Sequence, residues 1–223
     1  MIIFRFFFSI ALSIAAYVFV NILLQIPLYF WKEAGETDIQ LSFSLINSLS
    51  VTASVLVFIN CLYRRKLYST LLSLGIIRIS AKNALLAFSI GALSALAVCT
   101  FTIIIFGRNA FYGMGMPNSM LLASFILIPA CILSPIWEEI LFRGVLLQFL
   151  TKHLGNKLSV ILTSIIFSLV HVSYDIYGKS IAFFLSLMLC TLAIKFKSTT
   201  PSVIAHASCN LVILTFSTTI LAW

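Results

Sequence analysis

Apolar residues along this chain come in long runs rather than in strict alternation. Stretches dominated by Leu, Ile, Phe, Val and Ala cover about residues 3–31, 42–63, 84–107, 119–150, 158–173, 180–196 and 201–221, with short polar connections between them. A helix needs about 20 apolar residues to cross the hydrocarbon core, because lipid offers no partner to a free backbone N–H or C=O. The pattern therefore predicts an all-α protein, a polytopic transmembrane helical bundle of about seven helices, with an eighth kept open. The fifth and sixth runs are short for spans. The fourth is long, roughly 45 Å if helical throughout, and should tilt, kink at Pro135 or extend beyond the membrane. The first run, beginning MIIFRFFFSIALSIAAYVF, continues apolar to about Tyr29 and reads as an uncleaved helix rather than a signal peptide. No internal repeat or linker divides the chain, so residues 1–223 are expected to form one membrane domain.

Composition agrees with that pattern and removes other classes. The 223 residues are 61% hydrophobic and 9% charged, which excludes an ordinary soluble domain. The formal net charge is +8, yet the basic residues are scattered between apolar runs and form no stripe with interleaved aromatics, so nucleic acid is not an expected partner. They serve topology instead. With the N-terminus cytoplasmic, the inside receives Arg5, Arg64, Arg65, Lys66, Arg78, Lys82, Lys152, Lys157, Lys195 and Lys197, and the outside only Lys32, Arg108 and Lys179. That asymmetry places the C-terminus outside. Residues 64–83 read as a cytoplasmic connection rather than a lipid-binding amphipathic helix, and the small residues of SIGALSALA, Ser89 to Ala97, permit close helix packing. Cys61, Cys99, Cys131, Cys190 and Cys209 lie within or at the ends of apolar runs and read as small buried hydrophobes, with no disulfide framework.

Against this background five ionisable residues stand inside spans: Glu138, Glu139 and Arg143 in WEEILFRG, His171, and His206. Each costs a few kcal/mol to bury, so each should face a partner or a water-filled cavity. At about 100° per residue, Glu139 and Arg143 share one helix face as an i,i+4 pair, while Glu138 points elsewhere. Pro135 cannot donate to the carbonyl of Cys131, which opens the backbone there to water. FSLVH puts Phe167 and His171 on one face, and HASCN puts His206 and Asn210 on one face. Counting about 1.5 Å per residue from the helix ends brings Glu138, His171 and Asn210 to similar depth, with His206 shallower. These residue types suit hydrolysis of an amide. Glu138, helped by His171, would deprotonate a water, and His206 and Asn210 would donate to the oxyanion.

EEILFRG, FSLVH and HASCN resemble, in order and setting, the EExxxR, FxxxH and HxxxN motifs of the CAAX prenyl protease and bacteriocin-processing (Abi) family of intramembrane endopeptidases. The likeness runs over about Ser119 to Leu214, the motif-bearing core. It implies an intramembrane protease with Glu138, His171, His206 and Asn210 catalytic, and Glu139, Arg143 and Phe167 in support. It implies a peptide or membrane-associated protein as substrate and, if the source is bacterial, location in the inner (plasma) membrane. The chain departs from the family at Ile194 to His206, IKFKSTTPSVIAH, where glycines are common in relatives. Two histidines and a glutamate could also hold zinc through Glu138, His171 and His206, but there is no HExxH, and Asn210 fits an oxyanion donor better than a ligand; a cofactor-free glutamate mechanism is favoured. Two other classes compete: a non-catalytic bacteriocin-immunity or partner-binding protein on the same fold, and a proton relay or transporter, the last disfavoured by the absence of an inverted repeat.

Overall fold

The computed structural model describes residues 12–20, 22–23, 36–63, 67–107, 126–171 and 176–221, and among these every regular element is a helix. Helix α1 is Glu36–Tyr63, α2 is Leu67–Ser73 and α3 is Ala81–Phe106; α4 is the helical run Ile126–Val170, α5 is Ile176–Phe196 and α6 is Thr200–Leu221. Among the described residues, four stretches are long and apolar enough to cross a membrane: Ala81–Ile105, Ile126–Val170, Ile176–Phe196 and Thr200–Thr219, with a shorter apolar helix at Leu45–Cys61. The run at 3–31 and the start of the run at 119–150 lie mostly outside the described residues.

The helices have polar interiors and apolar exteriors. In the second arm of α4, Ser159, Thr163, Ser164, Phe167 and Ser168 are buried, while Ile161, Ile165, Ile166, Leu169 and Val170 are exposed. On α3, Leu93 is 66% exposed and Ile104 73% exposed. Water would reject such surfaces, whereas lipid accepts them and leaves the small hydroxyl residues to mediate helix contact.

Two compact units divide the chain, one drawn from Met1–Thr70 with Met116–Trp137, the other from Leu71–Gly115 with Glu138–Trp223. In the first, α1 packs on the Pro129–Leu133 stretch, and Tyr17 donates to Asn47 Oδ1 at 2.7 Å. In the second, α3 and α6 make the most extensive contact, and α4 folds back on itself. The reversal occurs at Gly155 (φ 72, ψ 169), a backbone state that L side chains rarely adopt. The arms are antiparallel: Phe142 meets Phe167, and Leu147 packs with Val160. The fourth and fifth apolar runs are thus two antiparallel arms joined by a turn at Gly155, and no such reversal occurs at Pro135.

Near Pro135 the winding changes instead. Pro129–Leu133 is π-helical, with the Ser134 N–H donating to Pro129 O, and Ser134–Glu139 returns to α before a second π stretch at Ile140–Leu147. A proline has no N–H to give the carbonyl four residues back, and a wider turn just before it is one way to re-register the ladder.

Residues 74–77 form more than a plain connection. Thr199 Oγ1 donates to Leu74 O at 2.7 Å, the Thr199 N–H to Gly75 O at 2.8 Å, Ser198 Oγ to Gly75 O at 2.9 Å and Thr200 Oγ1 to Ile77 O at 2.7 Å. These bonds fasten the segment before α3 to the turn that opens α6. Leu74 is fully buried and lies where a Cβ on Gly144 would meet it at 3.1 Å. The glycine of WEEILFRG therefore makes room for this clamp.

Ser208 Oγ donates to Phe88 O across the α3–α6 contact at 3.0 Å, and a Cβ on Gly91 would overlap Ala205 O and Ser208 Oγ. Gly91→Ala is expected to force α3 from α6 and cost about 1–3 kcal/mol, seen as a lower thermal unfolding midpoint by circular dichroism in detergent. An unchanged midpoint would show that the two helices tolerate separation.

Candidate active site

All the polar residues singled out inside the spans belong to the second unit. Arg143 is 1% exposed and its partner Glu139 0%. Arg143 Nη1 donates to Glu139 Oε1 at 2.8 Å, and Nη2 donates to Ser186 Oγ at 2.8 Å and to Ser186 O at 3.3 Å. Its guanidinium carbon also stands 4.8 Å from the centre of the Phe167 ring. An ion pair this deep holds only when the remaining valences are met, and here a serine on α5 and an aromatic face meet most of them.

Glu139 also binds a histidine. His206 Nδ1 lies 2.8 Å from Glu139 Oε1. A carboxylate paired with arginine accepts, so His206 Nδ1 must carry the hydrogen and its Nε2 is turned the other way. His171 is the residue just past the second arm of α4, with φ −79 and ψ 63, and its Nδ1 lies 2.7 Å from Phe167 O. A carbonyl can only accept, so this ring is oriented in the same sense.

The two Nε2 atoms converge on one carboxylate oxygen. His171 Nε2 and His206 Nε2 each lie 3.9 Å from Glu138 Oε2. Glu138 is itself buried, at 6% exposure. In the neutral tautomers set by the Nδ1 bonds, both nitrogens present a lone pair to an acceptor oxygen. A separation above 3.5 Å leaves scope for water-mediated contact.

Phe167 is more central than its motif position suggests. Its ring packs edge-on to Phe142 at 4.9 Å, lies 4.6 Å from the His171 ring and 6.1 Å from the His206 ring, and carries Arg143 on its face. It thereby touches each charged or titratable group except the two carboxylates. Asn210, one turn beyond His206, joins Phe167, His171 and His206 in lining a cavity of about 100 Å³. That is room for a few waters.

The geometry departs from the simple helical reckoning in two respects. The segment between Glu139 and Leu147 has π winding, which takes more residues per turn, so Glu138 is rotated less far from Arg143 than an α-helix would rotate it. His206, placed shallower by residue count, stands at the same oxygen as His171. Helix ends need not share a plane, so counting from them misjudges relative depth. Ser186 had no distinguishing signal: it is one hydroxyl among many in apolar runs, and only the folded chain brings it to Arg143.

A zinc ion would draw on Glu138, His171 and His206. Donors about 2.0–2.2 Å from one tetrahedral ion stand roughly 3.4 Å apart, whereas both nitrogen–oxygen separations here are 3.9 Å. Among the described residues no group of three His, Cys, Asp or Glu side chains is arranged to hold a metal ion. As placed, the trio does not form a zinc cradle.

Comparison with curated proteins and with solved structures returns no match. Residues 120–212, which contain Glu138, His171, His206 and Asn210, match the family model described as type II CAAX prenyl endopeptidase Rce1-like. Over this stretch the chain is similar to the CAAX-type membrane endopeptidases, the family that its three motifs resemble.

Proposed function

We propose that this protein is an intramembrane endopeptidase of the CAAX-processing type in which Glu138 activates a water. The observation that carries the reading is the approach of His171 Nε2 and His206 Nε2 to one oxygen of Glu138, each at 3.9 Å. The match of residues 120–212 to the Rce1-like family supports the reaction class.

Charge counting refines the roles. Glu138, Glu139 and Arg143 together carry one negative charge in excess, which is costly in a poorly solvated interior. One proton on the cluster removes the excess. On His206 it would give a cation between the two glutamates, with Nδ1–H on Glu139 and Nε2–H available to an oxyanion. Glu138 then accepts a proton from a water held against His171, and the hydroxide oxygen bonds to the peptide carbonyl carbon. The carbonyl electron pair moves onto oxygen, where His206 and Asn210 donate to it. Collapse breaks the C–N bond, and Glu138 returns its proton to the leaving amine. Water and peptide account for every atom of the two products.

The substrate is a peptide segment presented at the bilayer by a membrane-associated protein or peptide. The distribution of Lys and Arg favours a cytoplasmic N-terminus, and the substrate enters from the cytoplasmic side; if the source is bacterial, that membrane is the plasma membrane.

The direct test compares new protein N-termini in membranes of cells carrying the wild-type chain or Glu138→Gln at equal abundance. Termini present only with the wild type are expected; termini that persist with Glu138→Gln would remove Glu138 from the chemistry. Once a substrate is in hand, Asn210→Ala should lower kcat about 10²- to 10³-fold with little change in KM, as for an oxyanion donor. A change confined to KM would instead make Asn210 a binding residue. Activity should also survive 1,10-phenanthroline, with zinc well below one per chain by elemental analysis. Inhibition reversed by added zinc would replace the metal-independent route.

A further inference from the structure

A second and larger cavity, about 540 Å³, lies at the end of the second unit where two turns approach each other. One turn is the reversal at Gly155, and the other is residues 197–199 between α5 and α6. Lys152, Lys197 and Arg143 line it together with Gln148, Thr151 and Asn156, and none of the described lining residues is acidic. Neither lysine has an ion-pair partner among the described residues.

Two features point to a ligand. Arg143 reaches the inner wall of this cavity with its Nη atoms committed to Glu139 and Ser186, yet its buried Nε has no hydrogen-bond partner among the described residues. A buried guanidinium N–H left unmet is costly, and the cavity wall brings an occupant close to this group. The second feature is Lys197. The Lys197 N–H donates to Ile194 O at 3.2 Å and the Ser198 N–H to Ala193 O at 3.1 Å, the two bonds of a Schellman ending to α5. The left-handed residue in that motif is usually glycine, and here it is Lys197 at φ 48. A lysine kept against backbone preference suggests that its side chain is used.

We propose that this cavity binds a phosphate anion, presented by the headgroup of an anionic phospholipid or as free phosphate. Two lysines without an ion-pair partner among the described residues, amide and hydroxyl donors around them and the lack of a lining carboxylate match the several oxygens and the negative charge of a phosphate ester. The turn at 197–199 separates the apolar stretches Ile176–Phe196 and Thr200–Thr219, which puts the mouth near the level of lipid headgroups. The volume falls within the range of pockets that enclose small organic ligands and exceeds the need of a bare phosphate. The guanidinium on the cavity wall also holds Glu139, and Glu139 holds His206, so an occupant would adjoin the hydrogen-bonded chain of the candidate active site. Binding here does not depend on the proteolytic reading.

The test uses the purified full chain in a neutral maltoside detergent at constant ionic strength, titrated separately with dihexanoyl-phosphatidylglycerol, dihexanoyl-phosphatidylcholine and sodium phosphate. The thermal unfolding midpoint is followed. A saturable rise with phosphatidylglycerol is expected, with apparent affinity at least about tenfold weaker in the Lys152→Gln/Lys197→Asn double variant. A rise with inorganic phosphate as well makes the anion alone sufficient, and a rise with phosphatidylglycerol alone makes the lipid the ligand; each upholds the site. No saturable rise with either phosphatidylglycerol or phosphate overturns it. So does a phosphatidylglycerol response that is undiminished in the variant or matched by phosphatidylcholine. Both lysines are exposed, asparagine suits the left-handed position, and the ligand-free midpoint of the variant checks its folding. Should the double variant fail that check, Lys152→Gln alone, expected to weaken binding severalfold, takes its place on the same criteria.

Discussion

The burial of the Arg143 guanidinium organises the second unit. A fully charged group at about 1% exposure, within helices whose outer faces are apolar, must be met from several sides at once. Removing one partner of such a pair costs about 3–5 kcal/mol, because the other charge is left stranded. Glu139 meets it from the same helix, Ser186 from α5 and Phe167 from the returning arm of α4. Three segments are thereby held in register around one side chain. Glu139 in turn fixes His206 on α6, so the same interaction reaches the fourth segment.

Local backbone features make that arrangement accessible. The π winding over Ile140–Leu147 changes the angular relation between the two glutamates, and the left-handed backbone at Gly155 returns the chain so that Phe167 and His171 arrive opposite Glu138 and Arg143. Gly91 lets α3 approach α6 closely, and hydrogen bonds from Ser198, Thr199 and Thr200 tie the turn before α6 to residues 74–77. The position of His206 therefore rests on contacts far from it in sequence. Most of these supports are glycines and small hydroxyl residues, as expected where helices associate by close packing rather than by exclusion of water.

The all-α membrane class was legible directly, because long apolar runs leave the backbone no alternative to helix in lipid. The pairing of Glu139 with Arg143 was legible too, since a four-residue separation brings side chains together in one helix. Ser186 and Leu74 were not, because their partners lie on other segments and nothing in a run of apolar and small residues marks one serine from the next. The glycine position at the end of α5 is an instructive case: its occupation by Lys197 looks like a simple departure in sequence, and acquires meaning only beside Lys152 and the inner wall formed by Arg143.

By itself, then, the sequence determined helices, apolar lipid-facing surfaces and a small set of ionisable residues that the membrane would tolerate only with partners. Local spacing could assign one such partner. Which oxygen each histidine faces, where the chain reverses and which side chains close around the guanidinium were decided by tertiary structure alone. The reason is physical: hydrophobic periodicity records which faces avoid or accept lipid, whereas hydrogen-bond partners buried between helices are chosen by packing distance, which linear order does not carry.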